Sequence, residues 1–230
     1  MSKILALDTA ADACSVALWL DGELISDHRL LPREHTKHML PMIENILQHN
    51  SITLSELDGI AFGCGPGSFT GLRICGGIVQ GLAFGADLPV VPVSSLAALA
   101  YPFAGENITV VASVDARMNE LYTAVFQGQG EGFTVVDKEY LLAPESMSQQ
   151  LLAQATPGNA LIAAGSGWSY RDQFGDLKCM DLLACDTNAI PTAAAVAELS
   201  LARFVSGDTI AAAEVSPVYL RDSVAWQKSS

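Results

Sequence analysis

The sequence predicts an α/β fold built as two related lobes with a cleft between them. Three features carry that reading: an antiparallel strand meander at the start, helices that alternate with strands after it, and a second strand-rich unit behind a punctuated break. The break is Tyr101 to Asn107, where Pro102, Gly105 and Asn107 interrupt the pattern. It divides the chain into an N-terminal lobe, 1–103, and a C-terminal lobe, 107–230. With 230 residues, half of them hydrophobic, the chain can bury a sizeable core.

Taken in order, Ile4 to Leu7 is a short apolar strand and Cys14 to Leu20 a second, joined through Asp8-Thr9-Ala10-Ala11-Asp12-Ala13. Asp21-Gly22 is a two-residue hairpin signal, because both positions tolerate positive φ, and it leads into a third strand over Glu23 to His28. Over Thr36 to His49, Met39, Leu40, Met42, Ile43, Ile46 and Leu47 recur at helical spacing. This is an amphipathic helix, with Pro41 either closing its first turn or kinking it. Gly59 to Gly63 is a buried strand, Thr70 to Gly85 a helix, and Pro89 to Val93 a further strand. The second lobe opens with Ile108 to Val114. It continues through Glu120 to Phe126, the turn Gly128 to Gly132, Phe133 to Lys138, and Leu161 to Ala164 ending in Gly165-Ser166-Gly167. Thr192 to Val205 is an alanine-rich helix with Pro191 before it and Gly207 after it, and it is free to pack back on the first lobe.

The segment Gly63-Cys64-Gly65-Pro66-Gly67-Ser68-Phe69-Thr70-Gly71-Leu72-Arg73 is a glycine-dense loop that runs straight into a helix, a pattern suited to close approach of another backbone. One reading is a phosphate cradle, with Asp8, Thr9, Gly67 and Ser68 as candidate nucleotide or anion contacts; the other is a structural turn with a packing role. The loop lacks the Gly-Lys-Ser/Thr of a P-loop. It is not a nucleophile elbow either, since Ser68 has Pro66 and Thr70 where glycines would stand. Thr70 is the candidate N-cap. Behind it Gly77, Gly81 and Gly85 form one row, beside Ile74, Ile78, Leu82 and Phe84. Each glycine costs about 1 kcal/mol relative to alanine in a helix interior, so a compensating contact is expected, inside the chain or with another molecule. Arg73 and Gln80 interrupt the apolar run, which is too short for a membrane span.

The formal charge of -13, from 25 acidic and 12 basic residues with no Lys/Arg cluster, argues against autonomous nucleic-acid binding but not against binding a protein that handles nucleic acid. Five scattered cysteines, at 14, 64, 75, 179 and 185, form no C-x-x-C pair and fit reduced thiols. The N-terminus reaches charge too early for a signal peptide, and a cytoplasmic location is expected. His35 and His38 share a helix start, but only Glu34 stands beside them, and zinc needs at least three protein ligands. No metal site is expected.

Ile4-Leu5-Ala6-Leu7-Asp8-Thr9-Ala10, Pro32-Arg33-Glu34-His35-Thr36, the glycine segment through Arg73, Val114-Asp115-Ala116-Arg117 and Pro217-Val218-Tyr219-Leu220-Arg221 together resemble the bacterial TsaB family, also called YeaZ. The resemblance spans nearly the whole chain. It implies an actin/Hsp70/sugar-kinase (ASKHA) type of fold and a role in making threonylcarbamoyladenosine beside the anticodon of tRNAs that read codons beginning with A. It also implies a non-catalytic partner of the TsaD enzyme, which transfers the threonylcarbamoyl group, with the ATPase TsaE joining through TsaD and tRNA contacted indirectly. TsaD relatives carry metal-binding histidines after the strand corresponding to Pro89–Val93. Here Ser94-Ser95-Leu96-Ala97-Ala98-Leu99 stands instead, and none of these is a good transition-metal ligand.

The expectation is therefore an interaction protein with no cofactor of its own, ATP or ADP entering only in the assembled complex. The candidate surface combines the apolar side of the first helix (His35, Met39, Met42, Ile43, Ile46) with Thr70, Arg73, Ile74, Gly77, Ile78, Gly81 and Gly85. In isolation the same surface is expected to form a homodimer. Asp115 and Arg117 are expected to form a structural ion pair. The alternatives are an ATP-dependent small-molecule kinase with Asp8 as its magnesium or base carboxylate and Gly165-Ser166-Gly167 at the adenosine, and a glycoprotease-like peptidase, for which no H-E-x-x-H or serine elbow is present.

Overall fold

The computed structural model describes residues 2–129, 132–152, 154, 158–175 and 181–221. β1 (Lys3–Asp8), β2 (Ala13–Leu20) and β3 (Glu23–Leu30) form the meander, and Asp21 and Gly22 turn it with φ of 50° and 106°. α1 (His35–His49), β4 (Gly59–Gly65), α2 (Phe69–Ala86) and β5 (Val90–Ser94) complete the first lobe. Its sheet runs β3-β2-β1-β4-β5, antiparallel in the meander and parallel from β1 through β4 to β5.

α3 (Ser95–Ala100) leads into β6 (Ile108–Arg117), β7 (Glu120–Gln129), β8 (Gly132–Val135), β9 (Tyr140–Leu142), α4 (Met147–Leu152), β10 (Ala160–Ala164) and β11 (Ala184–Asp186). The second sheet runs β8-β7-β6-β10-β11 with the same senses, and β9 also pairs with β7. The duplication extends to register: Leu7 pairs with Phe62 as Ala112 pairs with Ala164, so Asp8 beside Gly63 corresponds to Ser113 beside Gly165. Part of the Gly128–Gly132 turn, and Cys179, lie outside the described residues. Cys14, Cys64 and Cys75 are buried free thiols and Cys185 is an exposed one.

Alternation along the strands builds two layers on the first sheet. Leu5, Leu7, Val16, Leu18 and Phe62 face α1 and α2, whereas Ile4, Ala6, Ala17, Ala61 and Val91 face α5 (Ala193–Ser206), which returns from the far end of the chain. Small residues on that second face let α5 approach closely. A Cβ on Gly59 would stand 2.2 Å from the Phe204 ring. α5 starts on the Thr192 hydroxyl, which accepts from Ala195 N, and stops at Gly207 with φ 75°.

Its first free N–H, on Ala193, donates to Ser15 Oγ across 2.8 Å in a fully buried setting. Ser15→Ala would orphan that donor, and we expect a loss of about 1–3 kcal/mol in urea unfolding. Ser15→Thr, which keeps a hydroxyl oxygen, should lose less.

α3 joins the lobes. Leu96, Leu99 and Ala100 pack with Val110, Ala112, Ala124 and Phe126 of β6 and β7. Beside it the Ser94 hydroxyl donates to Glu139 of the second lobe while accepting from Ala97 N at 3.1 Å.

Candidate functional site

The glycine loop closes over the β1–β2 turn. A Cβ on Gly67 would meet Ala10 O at 2.6 Å, one on Gly71 would meet Thr9 O at 2.0 Å, and one on Gly63 would meet Asp8 Oδ2 at 1.8 Å. Ser68 N donates to Ala10 O at 2.8 Å and Thr9 Oγ1 to Gly71 O at 2.7 Å, so the groups that could have cradled a phosphate hold this turn instead. Asp8 and Thr9 are buried. This packing favours the structural-turn reading of the loop over an anion contact at Asp8, Thr9, Gly67 and Ser68: only a glycine backbone is thin enough for two turns to touch. Ser68, whose Oγ accepts from Gly71 N at 3.3 Å, is the N-cap of α2, not Thr70, which sits exposed in the first turn.

Asp8 takes one bond, from Ala10 N at 2.9 Å, and among the described residues its Oδ2 has no partner. Burial raises its pKa to about 7, against the smaller opposing effect of that N–H. Ser95, which the sequence reading passed over, borders the same side of Gly63 and accepts from Gly65 N at 3.1 Å. In the second lobe Gly165 and Gly167 pack on Ser113 in the same manner, so they too are closed against β6.

α2 is long and apolar enough to be compared with a membrane span, yet Leu72, Cys75, Val79 and Ala83 along one side of it are in the core. Its other side is uncovered. Among the described residues a Cβ on Gly77, Gly81 or Gly85 would meet nothing within 4 Å, so no packing between them accounts for the row. Phe84 is 80% exposed beside the row, and at its N-terminal end Arg73 lies over the Phe69 ring at 3.7 Å and donates to Tyr219 Oη at 3.0 Å. Ile74 and Ile78 are half-buried flanks.

α1 does not share this surface in the way its periodicity suggests. Met39, Met42, Ile43 and Ile46 are buried in the first lobe's own core, and His35 is buried with Nε2 donating to Ala11 O at 2.9 Å. These five side chains are buried within this chain, so they do not lie on its exposed surface. The exposed apolar residues of α1 are Leu40 and Pro41. His38 pairs with Glu34 and His49 with Asn45 O. Among the described residues no three His, Cys, Asp or Glu groups gather as a metal site. Arg117 and Asp115 form an ion pair at 3.2 Å. Phe84 stands beside the row as its spacing predicts, whereas Phe69 and Tyr219 join the surface unannounced; the signal available was their aromatic character on a helix and tail otherwise rich in small residues.

Two repeated α/β lobes joined at α3 define a protein of the actin/Hsp70/sugar-kinase type, with a sealed first turn and one bare helix face. The model of the TsaD family, described as tRNA N6-adenosine threonylcarbamoyltransferase, matches residues 29–228. Over 98% of its length the chain is 43% identical to the tRNA threonylcarbamoyladenosine biosynthesis protein TsaB of Haemophilus influenzae, covering 96% of that protein. It is 40% identical to the protein of the same name from Escherichia coli, over 98% of this chain and 97% of the relative. YeaZ from Pseudomonas aeruginosa superposes with a TM-score of 0.86 at 38% identity, covering 96% of this chain and all of that one. The chain belongs to the TsaB family, within the wider group that the TsaD model describes.

Proposed function

We propose that this chain is a non-catalytic partner of TsaD in threonylcarbamoyladenosine formation on tRNA, and that it acts in the cytoplasm through protein contact along the bare face of α2. The observation that carries the reading is the glycine row Gly77, Gly81 and Gly85, uncovered by the described residues of its own chain and flanked by Phe69, Arg73 and Phe84. Three helix-interior glycines cost roughly 3 kcal/mol relative to alanine, a sacrifice that close helix-to-helix approach by a partner would offset. The names of the relatives support the pathway. A kinase reading has less support, since the carboxylate it would use, Asp8, is walled in by Gly63 and the glycine loop. TsaE joins through TsaD, ATP or ADP enters in the assembly, tRNA is met indirectly, and a homodimer through the same face competes with the TsaD complex.

The test is product formation on unmodified tRNA with the threonylcarbamoyl-AMP synthase, TsaD, TsaE, ATP, threonine and bicarbonate, with and without this chain. Product is expected to require the chain. Gly81→Leu, which points into open space and leaves the fold intact, is expected to weaken TsaD binding at least tenfold and to lower product in step. Equal product without the chain would overturn the role, and unchanged TsaD affinity in Gly81→Leu would overturn the surface.

A further inference from the structure

The tail motif Pro217-Val218-Tyr219-Leu220-Arg221 touches the docking face only through Tyr219, yet the segment that carries it crosses both lobes. Leaving α5 at Gly207, the chain forms a bridge with the edge strand β5, Ile210 N donating to Val90 O at 2.8 Å and Val90 N to Ile210 O at 2.9 Å. It then crosses α2: Gln80 Nε2 donates to Ala212 O at 3.2 Å, Val215 packs on the first core, and Pro217 lies over Gly76. Val218 N donates to Cys64 O at 2.7 Å beside the glycine loop, and Tyr219 packs on Phe69.

The end of this run lies on the second lobe. Arg221 pairs with Glu120, and its Nη2 also donates to Ala116 O at 3.2 Å and Arg117 O at 3.4 Å. Its Nη1 meets Met118 Sδ at 3.4 Å. These contacts surround the β6–β7 turn, where Arg117, Met118 and Asn119 hold φ of 65°, 59° and 57°. Three consecutive left-handed residues, none of them glycine, are unfavourable and persist where the surroundings fix them. Asp115 Oδ1, which accepts from Arg117 N at 2.7 Å, fixes the start of the turn, and the Arg221 guanidinium ties the rest, because its planar fork can serve two carbonyls and a carboxylate together.

We propose that Asp208–Arg221 is a strap that sets the angle between the lobes, with Arg221 as its latch on the β6–β7 turn. Among the described residues the lobes are also held at α3, which packs on β6 around Val110 and Ala112, and just after it by Tyr101, whose ring meets Phe133. The five residue-to-residue steps from Ala112 to Arg117 span roughly 17 Å of strand, so the latch acts at the far end of a lever whose pivot is α3. Releasing it frees the second lobe to rock about α3. Losing Glu139–Ser94, which lies beside the pivot, has a smaller effect on the angle.

Spin labels on Glu44→Cys of α1 and Val136→Cys of the second lobe, with Cys179 and Cys185 replaced by Ser, report the interlobe distance in the whole chain. Hydrogen exchange over residues 115–121 reports the turn. Arg221→Ala is expected to broaden the distance distribution and to speed exchange of the turn about tenfold, while peptides from β1 and β4 stay protected. Arg221→Lys, which keeps the pairing with Glu120 but cannot also reach both carbonyls, should give an intermediate distribution and keeps the test open if the alanine variant proves unstable. A distance distribution identical to the parent in both variants overturns the strap. Faster exchange confined to the turn would reduce Arg221 to a local brace and overturns it equally.

Discussion

Gly71→Ala is expected to destabilise the chain by about 3 kcal/mol or more, at the upper end of what overpacking costs, because the obstacle is backbone. Its Cβ would stand 2.0 Å from Thr9 O and 3.1 Å from Thr9 C, and neither side can yield easily. Gly71 lies in the first turns of α2, Thr9 follows the central strand β1, and the two are tied by Thr9 Oγ1 donating to Gly71 O. A loss of that size would lower the melting temperature by roughly 6–12 °C in a chain of this length. Gly81→Ala, in the same helix, is expected to have the opposite sign. Its Cβ enters open space and alanine restores helix propensity, so a gain of about 0.5–1 kcal/mol should appear in urea unfolding. The pair separates two uses of glycine that look alike in sequence. A Gly71→Ala variant as stable as the parent would mean that the loop does not seal the β1–β2 turn.

That contrast also marks where the sequence was legible. The Asp21-Gly22 hairpin, the alanine helix bounded by Thr192 and Gly207, and the restart at Ile108 are local signals with local causes, and the elements lie within a few residues of them. Periodicity located α1 but could not say what its apolar side faces: Met39, Met42, Ile43 and Ile46 meet Leu5, Leu7 and Val16 of the same lobe. An apolar stripe looks the same whether its partner is its own sheet or another protein. The glycine segment announced close backbone approach without naming the other backbone, which proved to be Thr9 and Ala10, some sixty residues away. Ser15, Ser95 and Arg221 were hidden for the same reason. Each is an ordinary polar residue whose partner is set by tertiary contact, Ala193, Gly65 and the β6–β7 turn respectively.

Asp8→Asn is expected to stabilise the chain above neutral pH and to remove part of its pH dependence. The folded chain holds the Asp8 proton up to about pH 7, whereas the unfolded chain gives it up near the ordinary aspartate value of 3.8. Folding therefore takes up a proton between these values. The stability that this uptake confers is fully present below about 3.8, falls as pH rises, and is lost above about 7. At 1.36 kcal/mol per decade the whole span is about 4 kcal/mol, an upper value because a buried carboxylate is eased by local relaxation or a water. Asparagine can keep the bond from Ala10 N through Oδ1 and puts a neutral group where Oδ2 lies bare, on the side of Gly63 that Ser95 Oγ also borders. A gain of about 1–3 kcal/mol at pH 8, shrinking to little at pH 4, is the expected result. The thiols near Asp8 do not blur it, since burial raises Cys75 and pushes Cys64 up to about 12. Glu139 is also raised by burial, so the quantity to compare is the difference between variant and parent at each pH, which cancels its contribution. Urea unfolding at intervals from pH 4 to 8 gives that difference. Parallel curves for the two proteins would mean that Asp8 stays ionised in the fold, with a partner for Oδ2.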